Sequence, residues 1–211
     1  MSHRFADIAF TGAVKATQEQ YRSRAQNEHL QRAGAPHDAL GDAEAAFIAE
    51  RDSFYLATVS ETGWPYVQHR GGPPGFLKVL EPRRLAFADF RGNTQLISAG
   101  NAASNDRVSL ILMDYRNRQR LKLLGRLRFE DANRAHAGMV KAVQLPEYRG
   151  RVERLAVIEV EAFDWNCPQH ITQRFALADI EAVAKPLHDR IAQLEAEVMA
   201  LRRATPGQED D

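Results

Sequence analysis

Three groups of side chains have the type and spacing to hold an anion. The first lies in Leu85–Asn101 (LAFADFRGNTQLISAGN), where an alternating apolar run ends at Asp89, an Arg-Gly-Asn turn follows and helical spacing begins. Backbone N–H groups at a helix start lack partners inside the helix and carry partial positive charge, so they can seat a phosphate. Arg91 adds a forked donor set there, and Gly92 lets the chain approach a ligand closely. Alone, the same residues also describe an ordinary strand-to-helix corner with a solvated arginine. The second group is Gln68 and Arg70, two apart at the end of a β-rich run. The third is Arg120 and Lys122, two apart within the basic run Arg116, Arg118, Arg120, Lys122, Arg126 and Arg128. A period of two places each pair on one strand face, where two cations can meet one anion. The basic run alone reads equally as a solvated hairpin, but three basic strand ends in one barrel, counting Arg91, are better explained by an anionic ligand.

Other chemistries find less support. The histidines, His3, His29, His37, His69, His136, His170 and His188, are scattered with no HxxxH pair, and the single cysteine offers no thiolate cluster, so no metal is expected. No Gly-x-Ser-x-Gly turn marks a serine nucleophile. Cys167 reads as a small buried hydrophobe rather than a nucleophile. No catalytic acid or base is identified, His69 and His170 being the candidates with a suitable pKa.

The elements that must position these groups are mostly strands. Phe54–Ser60 and Pro65–Arg70 flank a Gly-containing turn and predict an antiparallel hairpin; Phe76–Leu80 and Arg84–Asp89 turn about Glu81-Pro82-Arg83. Arg107–Met113 is a continuous apolar run that predicts a strand buried on both faces. Leu121–Arg128 alternates, interrupted by Gly125, which marks a bulge or a close approach. Leu155–Phe163 predicts the last strand. Helices are expected over Gly12–Arg32, from an N-cap at Asp42, over Asp131–Val143, and from about Asp179, with Pro186 in a first turn. In that last helix Leu187, Ile191, Leu194, Val198 and Leu201 form an apolar seam for the barrel or a second subunit to cover. The pattern is mainly β with helices, an α+β antiparallel barrel. It divides into an N-terminal helical extension (1–41), a barrel domain (42–178), a C-terminal helix (179–204) and a disordered tail (205–211).

The chain has 211 residues, with 28 acidic and 28 basic side chains, so nothing attracts it generally to nucleic acid or anionic lipid. One cysteine excludes an intrachain disulfide, and no signal peptide or membrane span is visible, so a soluble cytoplasmic protein is expected.

Taken in order, Pro65–Arg70 (PYVQHR), LAFADFRGN at 85–93, RVSLILMDY at 107–115 and RLKLLGR at 120–126 resemble the flavin-binding split-barrel family related to pyridoxamine 5′-phosphate oxidase. The resemblance spans roughly Asp42–Phe163. It implies a split barrel that forms homodimers and binds FMN between subunits. Carried over by position, Arg70 and Lys78 stand beside the flavin, Phe90, Arg91, Asn93 and Thr94 form the phosphate turn, and Gln95 follows in its helix. Gln119, Arg120 and Lys122 fall near the family's Arg-Gln-x-Arg segment. With Gln68 and His69, the expected FMN site is Gln68, His69, Arg70, Lys78, Phe90, Arg91, Asn93, Thr94, Gln95, Arg120 and Lys122. The oxidases usually carry a basic residue near Thr94, which here offers only a hydroxyl, leaving Arg91 to supply the charge. Leu187-His-Asp-Arg190 looks like a fragment of the oxidases' substrate-gripping motif, but it sits inside the heptad run and lacks the Glu-Phe-Trp that accompanies the motif, so it reads as coincidence and pyridoxamine-phosphate oxidase activity itself is not implied. The resemblance implies an FMN-dependent oxidoreductase acting on an unnamed small molecule or electron donor. A non-catalytic flavin carrier or sensor, or a haem-handling split barrel, are the alternatives.

Overall fold

β-Branched and aromatic runs separated by turn residues build the frame of the molecule. A computed structural model describes residues 2–33, 35–92, 94–145, 148–150, 152–165 and 168–204. In chain order the elements are α1 (Arg4–Ala9), α2 (Gly12–Gln20), α3 (Arg24–Ala33), α4 (Asp42–Ala49), β1 (Ser53–Val59), β2 (Pro65–Gly71), β3 (Lys78–Glu81) and β4 (Arg84–Phe90). There follow α5 (Ile97–Ser104), β5 (Arg107–Asp114), β6 (Gln119–Asp131), α6 (Ala137–Val143), β7 (Val152–Trp165) and α7 (Leu177–Ala204).

All strand pairs are antiparallel, in the order β2-β1-β5-β6-β7-β4-β3. Gly63, at φ +86°, turns the β1–β2 hairpin. The sheet curls without closing, and polar side chains tie β1 and β2 to the β4–α5 segment across the opening. Arg70 Nη1 on β2 lies 2.7 Å from Asp89 Oδ1 on β4. Ser98 Oγ on α5 donates to Gln68 Oε1 on β2 at 2.9 Å, and Asn101 Nδ2 on α5 donates to Thr58 Oγ1 on β1 at 2.9 Å. The architecture is a mainly β split barrel with helices.

Inside the curl, Phe54, Phe76 and Phe87 pack with ring centroids 5.4 to 6.3 Å apart. Leu56, Leu85, Leu110, Leu112, Leu121, Leu123 and Ile158 complete this core. A smaller cluster of Ala86, Ala88, Val143, Leu155 and Val157 joins α6 to the other face of β4 and β7. Those are the strands buried on both faces. β5, expected to be so, instead alternates: Val108, Leu110, Leu112 and Asp114 are buried, while Arg107 and Ser109 are exposed. Its apolar run reflects half-buried Ile111 and Met113 beside an inward-facing set, not a second covering layer.

The helices differ in detail from expectation. Residues 12–32 form two helices broken at 21–23, where Arg22 takes φ +57° and Ser23 N donates to Gln18 O. Gly41, not Asp42, is the N-cap of α4, and Glu44 Oε2 accepts its N–H at 2.9 Å. β6 runs to Asp131, so α6 begins only at Ala137. α7 begins at Leu177, which places Pro186 well inside the helix.

The chain divides into two units, residues 1–114 with 118–171, and residues 115–117 with 172–211. In the second, Arg116 Nη1 meets Asp179 Oδ1 at 2.6 Å, Gln173 Nε2 donates to Arg116 O, and the Arg174 guanidinium lies over the Tyr115 ring. The expected tail at 205–211 lies outside the described residues.

Candidate functional site

Strand alternation decides which side chains meet at the barrel opening. Phe54 pairs with Arg70, Leu56 with Gln68 and Thr58 with Tyr66, so Tyr66, Gln68 and Arg70 share the inward face of β1. They are on an end strand, so their heads reach past the core to the end of β4 and the start of α5. A cleft of about 210 Å³ opens there, lined among others by Gln68, Arg70, Asp89, Thr94, Ser98 and Arg154.

Asp89 organises its charge. It is 2% exposed and held between two guanidinium groups. Arg70 Nη1 is 2.7 Å from Oδ1, and Arg154 Nη2 and Nε are 2.6 and 2.9 Å from Oδ2. The two guanidinium groups outnumber the carboxylate between them, and Glu153, the second acid of the lining, is met from outside by Arg91. Arg70 Nε is buried and has no hydrogen-bond partner among the described residues, and such a donor costs stability unless a ligand or water meets it.

The approach to α5 supplies further donors. Thr94 and Leu96 both take positive φ, +59° and +56°, a conformation that non-glycine residues hold at a cost. Leu96 is the N-cap of α5 and gives no side-chain cap. Residues 96–99 line the cleft, so the N-terminal turn of α5 faces it, and the N-cap Leu96 supplies no side-chain acceptor there. A β-carbon on Gly92 would meet only Phe90 O, at 4.0 Å, so this edge of the cleft stays open.

Of the expected site residues, Gln68, Arg70, Phe90, Thr94 and Gln95 line this cleft. Gln95 precedes α5 rather than lying in it. Arg91 is mostly exposed beside the cleft, 3.6 Å from Glu153. Asn93 lies outside the described residues, as does Cys167. Lys78 opens β3 and pairs with Ala86. His69 points to the other face of β2, edge-on to Tyr55, and lines an adjoining cavity of about 190 Å³. That cavity shares Arg70, Asp89 and Phe90 with the cleft, so the Arg70–Asp89 pair forms the wall between them.

Arg120 and Lys122 are elsewhere in the protomer. Lys122 pairs with Ile111, Ile111 with Tyr55 and Tyr55 with His69, which puts them on the sheet face opposite Arg70. Lys122 Nζ is 2.8 Å from Asp164 Oδ2 and 4.7 Å from the Phe5 ring centroid. Along the basic run, Arg116 meets Asp179, Arg126 meets Asp106 and Glu161, and Arg128 meets Glu130 and Glu159. Much of the run is therefore matched by acids. A wider cleft of about 600 Å³ opens on that face beside α1, lined by Ile8, Ala57, Val59, Ser109, Leu124 and Arg126 among others.

Folding also joins histidines that are distant in sequence. The ring centroids of His3 and His37 are 4.3 Å apart, His37 stacks on Phe163, and His3 Nε2 is 3.7 Å from Asp164 Oδ1. Burial, and then the neighbouring His37, holds the His3 pKa below its ordinary value. The three side chains have ligand atoms within 4.8 Å of one another. The Lys122 ammonium already occupies the other oxygen of Asp164. His170 lies near the end of the first unit with φ +62°.

Asp89, Ser98, Glu153 and Arg154 are cleft residues that the spacing argument did not single out. The available signal was Asp89 itself, an acid ending an apolar strand and needing a cation once buried. Its second partner is invisible to local pattern, because Arg154 arrives through the β4–β7 register, where the two residues pair directly.

A seven-stranded antiparallel split barrel with a polar cleft, bearing two arginines, at its opening defines the class. The family model described as pyridoxamine 5′-phosphate oxidase matches residues 40–166, more than half the chain and all seven strands, and the chain belongs to that family. No curated protein matches it. Among solved structures, Group A Streptococcus HupZ is similar at 13% identity and a TM-score of 0.49, over 64% of this chain and 99% of that one. An FMN-binding protein from Syntrophomonas wolfei is similar at 10% identity and 0.42, over 74% and 98%. HutZ, the haem storage protein of Vibrio cholerae, is similar at 14% identity and 0.40, over 60% and 94%. Among the described residues, no helix is long and apolar enough to cross a membrane.

Proposed function

We propose that this protein binds FMN through a phosphate seat in the β2–β4–α5 cleft and acts as an FMN-dependent oxidoreductase. The observation that carries the reading is the buried Nε of Arg70, without a partner among the described residues, in a cleft that the uncapped start of α5 also lines, inside the part of the chain that matches the family. These groups fit a phosphate: Arg70 offers a charge-assisted donor, and Arg154 offsets Asp89 so that the carboxylate does not repel the anion. Gly92 leaves room at the rim, and Thr94 supplies a hydroxyl to the lining. Bound flavin would supply the hydride or electron transfer, while the protein fixes the cofactor's position and selects its electron partner. The functional unit of this reading is a homodimer, in which a second subunit completes the flavin's surroundings beyond one protomer's cleft.

The test is the absorption spectrum of freshly purified protein, followed by titration of FMN into material stripped of small molecules. A flavin spectrum, or saturable quenching of flavin fluorescence, is the expected result. Colourless protein that takes up no FMN overturns the assignment, and a Soret band replaces it with a haem-handling role. Reduction of the bound flavin by NADH or NADPH, and its reoxidation by candidate acceptors, then separates an enzyme from a carrier.

A further inference from the structure

α7 exposes a longer apolar repeat than its C-terminal half suggests. Beginning at Leu177, apolar residues fall at 177, 180, 184, 187, 191, 194, 198 and 201, alternating steps of three and four over the 28-residue helix. This is a heptad seam of four repeats, with Leu177, Ala184, Ile191 and Val198 at the a positions and Ile180, Leu187, Leu194 and Leu201 at d. Except for Ala184 these are among the exposed large hydrophobic residues, Ile191 being 52% and Leu187 62% exposed. Such a stripe on a helix otherwise rich in charge calls for a cover.

We propose that the cover is the same helix of a second copy, in a parallel, in-phase, two-stranded coiled coil. The proposal does not rest on the flavin reading. The seam and its flanks both select this occupant. β-Branched Ile191 and Val198 at a, in layers alternating with Leu187, Leu194 and Leu201 at d, are the side chains that pack best in parallel pairs, and they outweigh the first heptad, where Leu177 at a and Ile180 at d reverse the pattern. The flanking e and g positions are also self-complementary. In phase, Arg190 reaches the partner's Glu195, and Glu197 reaches the partner's Arg202, each contact occurring twice by symmetry. An antiparallel pair using all eight layers sets Arg190 against the partner's Arg190, and Glu181 against the partner's Glu195. Sliding that pair by one heptad relieves the repulsion but leaves Leu177 and Ile180 outside the seam. Only the parallel pair buries every layer and matches the charges.

Cysteine cross-linking in the full-length chain tests the arrangement, with Cys167→Ser removing the single native thiol. Leu187→Cys and Leu194→Cys are made separately, with Ala196→Cys on the outer face as the control. In the parallel pair each d-layer cysteine faces its own counterpart within disulfide reach, so both variants should give about fivefold more covalent dimer than the control under mild oxidation. Cross-linking at neither position, or at one alone, overturns the proposal, whether α7 then lies on its own barrel, binds another protein or pairs antiparallel. Arg190→Glu should lower the cross-linked fraction in the Leu194→Cys background, and adding Glu195→Arg should restore it. Failure to restore it overturns the in-phase register. These readouts follow α7 itself, so they are unaffected by whether the barrels also pair or bind FMN.

Discussion

At the scale of single residues, the cleft is governed by a carboxylate that does not face solvent. Asp89 fixes Arg70 from one side and Arg154 from the other, which orders both guanidinium groups before any ligand arrives. Arg70→Gln is therefore expected to weaken FMN binding by about 1.5–3 kcal/mol, the range for a hydrogen bond to a charged group. Arg91→Ala should cost less than about 1 kcal/mol, because its side chain is exposed and only loosely paired with Glu153. Fluorescence titration of the two variants checks the order, and equal losses would return Arg91 to the phosphate site. The period-two spacing made Gln68 and Arg70 legible as a pair. It could not reveal Arg154, whose place depends on a strand 65 residues away from Asp89.

At the scale of elements, Gly125 shows what a local break in pattern can predict. Pairing shifts between Leu124 and Gly125, and a β-carbon there would stand 2.6 Å from Glu159 O and 2.9 Å from Ile158 Cγ2. Backbone cannot retreat as a flexible side-chain end can. Gly125→Ala should lower stability by about 1–3 kcal/mol, as overpacking does elsewhere. Gly100→Ala, in α5 with nothing within 4 Å of the added atom, should be neutral or raise stability by up to about 1 kcal/mol. Denaturant unfolding of both variants gives the comparison. Strand positions were legible because alternation and turn residues agree. The α2–α3 break was not, since apolar spacing continues through Tyr21 while the backbone turns at Arg22. The extension of β6 through Asp131 was hidden too, because its last residues depend on pairing with β7 rather than on their own periodicity.

At the scale of the whole molecule, buried and paired ionisable groups set the pH range of stability. His3 has a folded pKa below its ordinary value, chiefly from burial and then from His37, with Asp164 and Asp7 opposing. As pH falls below about 6.5, the unfolded chain takes up a proton that the folded chain resists, so stability falls. Thermal midpoints measured from about pH 7.5 to 5 should decline, and His3→Gln should flatten that slope, whatever it does to the plateau. Glu161 acts further into acid. Its hydrogen bond from Arg126 holds its pKa below the usual carboxylate value, despite partial burial, so its contribution is present above the unfolded pKa and is lost as pH falls through the folded one.

The strand order also imposes a timetable on synthesis. β2 and β4 are separated in sequence only by the short β3, yet they stand five places apart in the sheet. The hairpins β1–β2 and β3–β4 can each form from local chain, but the sheet joins them only through β5, β6 and β7. β4 finds its second neighbour only in β7, which also carries Arg154. β1 gains its second neighbour once β5 follows, but the edge of β4 stays unpaired until β7, which ends at Trp165, has been made. The cleft forms last, and a chain truncated before β7 should pair β2, β1, β5 and β6 but leave β4 without the strand that carries Arg154.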